Sequence, residues 1–82
     1  MITIYTQNRC SFCVRAKSYL NTLGIEYTES NIGTDPEARK FIMSEGHRTV
    51  PQIYNDGKLL VPGGYDGLSK LTKENIMERI NK

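Results

Sequence analysis

The sequence predicts an α/β protein with a four-stranded mixed sheet flanked by helices, in the order β-α-β-α-β-β-α. Short β-branched or aromatic runs alternate with longer segments whose apolar residues have helical spacing. Two late apolar runs also enclose an Asn-Asp-Gly turn, which is typical of a hairpin. The first two strands enclose a helix and are therefore expected to be parallel, whereas the last two are expected to be antiparallel. We expect residues 1–82 to form a single domain, as is usual for a chain of 82 residues.

The first half of the chain has clear element boundaries. Residues 2–5 ("ITIY") are rich in β-branched and aromatic side chains and predict the first strand. Apolar residues at helical spacing predict a helix over residues 11–23, and Gly24 follows it, as is common after a helix end. Residues 25–32 ("IEYTESNI") return to strand character.

The second half begins with a helix whose start is marked by Asp35 as N-cap and Pro36 in the first turn, and Gly46 ends it. A capping box from Thr34 to Glu37 is an alternative start for the same helix. Residues 50–61 predict the hairpin. One or two C-terminal helices follow, with a break expected near Thr72.

The charge pattern excludes some classes of partner. The chain has 11 basic and 9 acidic side chains, and the basic ones are dispersed, whereas a nucleic-acid site clusters them on one face. No apolar stretch approaches the roughly 18 residues of a membrane span. The N-terminus lacks the pattern of a secretory leader. We therefore predict a cytoplasmic protein that binds neither nucleic acid nor membrane, in a compartment where thiols stay reduced.

The two cysteines of the chain, Cys10 and Cys13, lie in the motif "CSFC". A structural zinc ion needs four nitrogen or sulfur ligands, and one chain offers only these two cysteines and the distant His47. A structural disulfide of this spacing would stabilise the fold by only about 2 kcal/mol, against about 4.7 kcal/mol for a 100-residue loop. Neither interpretation explains the motif well.

The spacing of the two cysteines is better explained by a redox centre. Cys10 lies where a loop meets the start of the first helix, and free N–H groups and the helix dipole stabilise a thiolate there. The neighbouring Arg9 adds positive potential, so we expect a lowered cysteine pKa. Cys13 follows one helical turn later and is expected to be more deeply buried. Cys10 is thus predicted to be the nucleophile and Cys13 the resolving thiol, since a C-x-x-C beside a β-α-β pattern is a redox signature.

Two later segments supply a possible substrate site. If Pro51 in "TVP" is cis, Val50 would expose its N–H and C=O groups to an extended thiol peptide. In "GGYDGL", the backbone N–H groups of Tyr65 and Asp66 at a helix start can bind a carboxylate, and Asp66 can meet an amine. This loop could thus bind both the carboxylate and the amine of a γ-glutamyl group. His47 and the tyrosines are interpreted as ordinary surface and packing residues.

Together "CSFC", "TVPQIYNDGK" and "GGYDGL" resemble the motifs of glutaredoxins, which have a thioredoxin-like fold, over nearly the whole chain. This resemblance implies a glutathione-disulfide oxidoreductase that reduces protein disulfides and glutathione mixed disulfides. Glutathione would be a co-substrate, without a tightly bound cofactor or metal, and the protein is expected to be a monomer. The implied glutathione-binding residues are Gln7, Arg9, Phe12, Thr49, Val50, Pro51, Gly64, Tyr65 and Asp66.

The chain departs from the family pattern at several positions. Gln7 stands where glutaredoxins usually have a lysine or arginine for the glycine carboxylate of glutathione, and Arg9 is a candidate substitute. Gly67 stands where many members have a second aspartate, and the link into Gly63-Gly64 is about two residues longer than usual.

Two alternatives follow from these features. The first part of the chain also resembles glutaredoxin-like redoxins that take electrons from thioredoxin reductase and serve ribonucleotide reductase. Ser11, in place of the common proline, suggests a dimeric carrier of a [2Fe–2S] cluster, in which Cys10 of each chain and two glutathiones would be the ligands. A colourless monomer after anaerobic reconstitution with iron and sulfide would contradict the cluster alternative.

Overall fold

The computed structural model of the protein describes residues 1–81. A mixed sheet lies at its centre, with the strand order β2-β1-β3-β4. The strands and helices, in chain order, are β1 (Ile2–Thr6), α1 (Ser11–Thr22), β2 (Tyr27–Asn31), α2 (Pro36–Ser44), β3 (Gln52–Asn55), β4 (Lys58–Val61), α3 (Gly64–Ser69) and α4 (Lys73–Ile80). The predicted α/β order is confirmed, and the C-terminal helical region is divided into two helices.

The strand directions agree with the prediction. β1 pairs with β2 in parallel and with β3 in antiparallel register, and β3 and β4 form the predicted antiparallel hairpin. The central strand β1 therefore ends beside the start of β3. This arrangement brings the loop that follows β1, with Cys10, close to the loop that precedes β3, with Pro51.

One face of the sheet carries the main apolar core. Alternate residues of β1, Ile2 and Ile4, are almost completely buried there, as the two-residue repeat of a strand requires. They pack in one cluster with the apolar stripe of α1 and with residues of β3, β4, α3 and α4. The buried members of this cluster are Ile2, Ile4, Ala16, Leu20, Ile25, Ile53, Leu60, Val61, Leu68 and Ile76.

The opposite face of the sheet carries an aromatic cluster. Tyr5 of β1 and Tyr54 of β3 lie edge to face, with ring centroids 5.6 Å apart. Phe41 of α2 lies against both, at centroid distances of 5.5 Å from Tyr5 and 5.1 Å from Tyr54. Edge-to-face and tilted arrangements of this kind are the favoured ones for aromatic pairs. They fix α2 on this face and thereby position the loop between α2 and β3.

Side-chain caps set the helix starts. The Asp35 carboxylate accepts hydrogen bonds from the N–H groups of Glu37 and Ala38, so Asp35, and not Thr34, caps α2. Thr72 and Asn75 form a capping box at the start of α4, which explains the break between α3 and α4. Within residues 1–81, no helix is long and apolar enough to cross a membrane.

Candidate active site

The two cysteines lie at the start of α1. Cys10 is the N-cap residue, and its sulfur accepts a hydrogen bond of 3.1 Å from the N–H group of Cys13. The two residues form a disulfide with Cα atoms 5.2 Å apart. Cys10 is half-buried, whereas Cys13 is only 2% exposed. A substrate can therefore approach Cys10 more readily than Cys13.

The local charge at this helix start favours an anion. The first turn of α1 has no acidic residue, and Arg9 lies directly before the N-cap. The Cys13 N–H group donates to the Cys10 sulfur, and the first turn of a helix leaves further N–H groups without partners inside the helix. These groups would stabilise the thiolate form of Cys10 once the disulfide is reduced.

The loop before β3 faces the disulfide. The Val50–Pro51 peptide bond is cis, and the Val50 carbonyl oxygen lies 3.8 Å from Cys10 Sγ. Val50 lies outside β3, and its N–H group takes no part in the backbone hydrogen bonds among the loops and turns of residues 1–81. An extended peptide could therefore pair with Val50 while its own sulfur faces Cys10.

A groove of about 330 Å³ begins at this loop and runs to the start of α3. Seven of the predicted glutathione-binding residues line it, and they come from α1, the loop before β3 and α3. Its full lining is Phe12, His47, Thr49, Val50, Pro51, Gln52, Leu59, Pro62, Gly63, Gly64, Tyr65 and Asp66. The structure thus brings together residues that are far apart in the sequence.

The walls of this groove are partly aromatic. The rings of Phe12 and Tyr65 are stacked with centroids 6.2 Å apart, and Phe12 is 50% exposed. The Arg15 guanidinium lies 5.5 Å from the centre of the Phe12 ring, within cation–π distance. The Phe12 ring therefore connects α1 to α3, and the positive charge of Arg15 lies against this ring.

Two glycines of α3 allow close approach of other backbone segments, the loop before β3 at Gly64 and the link after β4 at Gly67. Gly64 has φ +58°, and a Cβ atom there would lie 2.9 Å from the Pro51 carbonyl oxygen. Gly67 has an ordinary helical conformation, but a Cβ atom there would lie 1.9 Å from the Pro62 carbonyl oxygen. A side chain at position 67 is therefore excluded by the path of the chain through Pro62. This contact explains why a second aspartate is absent at this position.

A second cavity, of about 280 Å³, adjoins the groove on the other side of Val50. Gln7 lies in this cavity together with three basic side chains, and none of its lining residues is acidic. The basic residues are Arg39, His47 and Arg48. Sequence analysis missed Arg39 and Arg48, because nothing in their spacing shows that α2 and the following loop converge beside Gln7.

His47 lies at the junction of the groove and the second cavity and lines both. It is half-buried rather than an ordinary surface residue, and its Nε2 atom forms a 2.6 Å hydrogen bond with the Tyr54 hydroxyl. Burial, and then the nearby Glu45 carboxylate, raise the pKa of Tyr54, so this hydroxyl stays protonated. The buried tyrosine fixes the position of the imidazole.

Arg9 does not lie in the groove. It lines a third cavity, which also includes both cysteines and the ion pair between Lys17 and Glu29. Gln7 lines this third cavity together with Arg9, and it lines the second cavity together with Arg39 and Arg48. The substitution of Arg9 for a basic residue at position 7 therefore stays a prediction. Among residues 1–81, no group of three or more Cys, His, Asp or Glu side chains could hold a metal ion.

Comparisons with known proteins agree with this geometry. The family model described as glutaredoxin matches residues 2–60. Glutaredoxin 3 of Escherichia coli strain K12 is 37% identical over 82 residues, which cover 99% of this chain and 96% of the relative. The solution structure of glutaredoxin from Brucella melitensis has a TM-score of 0.73 and 32% identity, covering 99% of this chain and 90% of the other.

A glutaredoxin-like protein with a thioredoxin-like activity profile, NrdH-redoxin from Escherichia coli, is a further structural neighbour. It has a TM-score of 0.63 and 32% identity, and the alignment covers 65% of this chain and 70% of the neighbour.

The match to the family model spans more than half of the chain, and the cysteine pair lies within it at the start of α1. The chain therefore belongs to the glutaredoxin family of thiol–disulfide oxidoreductases, with a thioredoxin-like fold.

Proposed function

We propose that the protein is a glutathione-dependent thiol–disulfide oxidoreductase that uses Cys10 and Cys13. One observation carries the proposal: the groove passes Val50, whose carbonyl lies 3.8 Å from Cys10 Sγ, and continues to the start of α3. Its volume of about 330 Å³ lies at the lower end of the range for small-molecule sites. A tripeptide thiol could fill it with its sulfur at Cys10.

Each part of glutathione has a counterpart along this path. The cysteinyl backbone would pair with the N–H and C=O groups of Val50, beside Thr49 and Pro51. The γ-glutamyl carboxylate would accept hydrogen bonds from backbone N–H groups at Gly64, Tyr65 and Asp66, and the Asp66 carboxylate would bind the amine. Asp66 is exposed, so this ion pair is expected to determine orientation more than affinity.

The glycine carboxylate would lie on the opposite side of Val50. The second cavity opens there, and it offers Gln7 together with Arg39 and Arg48. In this proposal the two arginines would take the place of a basic residue at position 7. They come from α2 and the loop after it, whereas position 7 belongs to the loop after β1.

The reaction would proceed by two thiol–disulfide exchanges. The Cys10 thiolate attacks the glutathione sulfur of a mixed disulfide, so that the Cys10–glutathione bond forms and the protein thiolate leaves. A second glutathione thiolate then attacks this bond, which yields glutathione disulfide and regenerates Cys10. With a protein disulfide as substrate, Cys13 attacks the mixed disulfide on Cys10 instead, and two glutathiones later reduce the Cys10–Cys13 disulfide.

The electron donor distinguishes this proposal from its alternative. With NADPH, glutathione and glutathione reductase, we expect steady turnover of a glutathionylated peptide. With NADPH and thioredoxin reductase alone, we expect little or none. The reverse result would favour a redoxin that serves ribonucleotide reductase, an alternative supported by the similarity to NrdH-redoxin.

Activity with glutathione requires a reducing compartment, so we propose a cytoplasmic monomer that acts on disulfide-containing proteins.

Replacing Arg39 and Arg48 together by alanine is expected to raise KM for a glutathionylated peptide by about three- to tenfold. Both side chains are exposed, and exposed ion pairs contribute roughly 0.2–1 kcal/mol each. We expect kcat to change little, because neither arginine lies beside the cysteines. The measurement is steady-state kinetics at low ionic strength.

Lys40→Ala is the matched control, since Lys40 lies on α2 but outside the second cavity. An unchanged KM in the double variant, with a raised KM in Arg9→Ala, would show that the carboxylate lies near the third cavity instead.

A further inference from the structure

His47 lies in the loop between α2 and β3, at the boundary between the groove and the second cavity. Its N–H group donates a 3.1 Å hydrogen bond to the Ile42 carbonyl oxygen, which fixes this loop on the end of α2. The side chain is half-buried and lines both spaces. A molecule that extends from the groove into the second cavity therefore passes beside the imidazole.

A buried tyrosine anchors the imidazole on its inner side. His47 Nε2 lies 2.6 Å from the hydroxyl oxygen of Tyr54, which is only 2% exposed, and the two rings meet at 84° with centroids 5.8 Å apart. The Tyr54 hydroxyl also donates a 3.4 Å hydrogen bond to Glu45 Oε1. Because a hydroxyl group has only one proton, we assign the proton of the His47–Tyr54 bond to Nε2. The other ring nitrogen, Nδ1, is consequently the one that can gain a proton.

The charged groups around the imidazole come from α2, α3 and the loop itself. Glu45 at the end of α2 lies behind Tyr54, and Asp66 of α3 lines the groove. Arg39 of α2 and Arg48 of the loop line the second cavity. The two carboxylates favour a positive charge on the ring, whereas the two arginines oppose it. A carboxylate bound in the second cavity would add a negative charge there and would thereby favour the protonated ring.

We propose that His47 is a specificity-determining residue whose protonated ring donates a hydrogen bond from Nδ1 to the glycine carboxylate of glutathione. Histidine is the side chain that ordinarily changes its charge between about pH 5 and pH 8, so this contact depends on pH. The contacts of Arg39 and Arg48 do not, because arginine stays charged throughout. The bond to Tyr54 holds the ring in place, so little side-chain freedom is lost on binding. This inference rests on the proposed glutathione-dependent function and deepens it.

The sign of the pH dependence follows from linkage between the proton and the ligand. A ligand that binds the protonated ring more tightly also draws a proton onto the ring, and by reciprocity the proton tightens binding of the ligand. The protein therefore holds the glutathione moiety more tightly in mildly acidic than in mildly alkaline solution. The imidazole thus adds selectivity for a ligand with a carboxylate at this end.

The test measures binding of S-methylglutathione to the oxidised protein by titration calorimetry, between about pH 5.5 and about pH 7.5. The ligand has no free thiol, and Cys10 and Cys13 are joined in a disulfide, so no thiol reacts or titrates. We expect Kd to rise about two- to fivefold across this range, as for a partly exposed ion pair. In buffers of different ionisation enthalpy, binding is expected to take up a fraction of a proton.

His47→Gln is the matched control, since glutamine keeps a neutral hydrogen-bond donor and cannot gain a proton in this range. We expect its Kd to be the same across the range and its proton uptake to vanish. A second control changes the ligand instead of the protein. S-methylglutathione with its glycine carboxylate converted to an amide is expected to bind the unchanged protein without this pH dependence.

Two outcomes would overturn the inference and leave the proposed function intact. A Kd for the unchanged protein that is constant across the range would show that the charge of the imidazole plays no part in binding. A pH dependence that persists in His47→Gln, or with the amide ligand, would assign the proton to another group. Absence of binding at every pH would contradict the proposed glutathione site itself, and the inference with it.

Discussion

Cys10→Ser is expected to abolish both reduction of protein disulfides and release of glutathione from mixed disulfides. A serine hydroxyl does not ionise near neutral pH, so the N–H groups and positive charge at the start of α1 would have no thiolate to stabilise. The expected loss is roughly 10³-fold or more, as when other catalytic nucleophiles are removed. The measurement is NADPH consumption with glutathione and glutathione reductase, for both substrates.

Cys13→Ser is the informative companion of that variant. Cys13 is almost completely buried, so a serine there leaves the exposed face of Cys10 and the groove unchanged. We expect deglutathionylation to persist, because a second glutathione can resolve the intermediate, while reduction of protein disulfides is lost. If Cys13→Ser lost both activities, the division of roles between the two cysteines would be wrong.

Gly67→Ala is expected to have the largest effect on stability among substitutions near the site. The new Cβ would lie 1.9 Å from the Pro62 carbonyl oxygen, and that oxygen belongs to the backbone and cannot rotate away. Replacing a helical glycine by alanine normally gains about 1 kcal/mol. Overpacking costs about 1–3 kcal/mol and more where backbone must move, so the clash is expected to dominate.

Thermal unfolding followed by circular dichroism provides the measurement. For a domain of this size, each 1 kcal/mol lowers Tm by roughly 4–8 °C, so we expect a fall of about 8 °C or more. Lys70→Ala, at the exposed C-cap of α3, is the control and is expected to change Tm by only a few degrees. An unchanged Tm in Gly67→Ala would show that the chain around Pro62 can shift at no cost.

Local signals made most of the fold predictable. Asp35 and Pro36 mark the start of α2 because capping acts within one helical turn, and the Asn-Asp-Gly turn sets the β3–β4 hairpin for the same reason. The break near Thr72 was likewise visible in the sequence. The cysteine pair could be assigned to the start of α1, because its position depends only on the preceding strand and the helical pattern.

Features that depend on distant contacts could not be predicted. Arg39 and Arg48 lie beside Gln7 only because the aromatic cluster fixes α2 against the sheet. The absence of a second aspartate after Asp66 was visible, but its cause, the approach of the Pro62 carbonyl to Gly67, required the three-dimensional structure.

The tethering of His47 to the buried Tyr54 hydroxyl makes the imidazole a spectroscopic probe. His47 is the only histidine of the chain, so its ring protons give an unambiguous set of NMR signals. Because it lines both the groove and the second cavity, these signals are sensitive to ligands at either end of the site. A titration with glutathione or with a target peptide can therefore be followed at a single residue, without any label or engineered fluorophore.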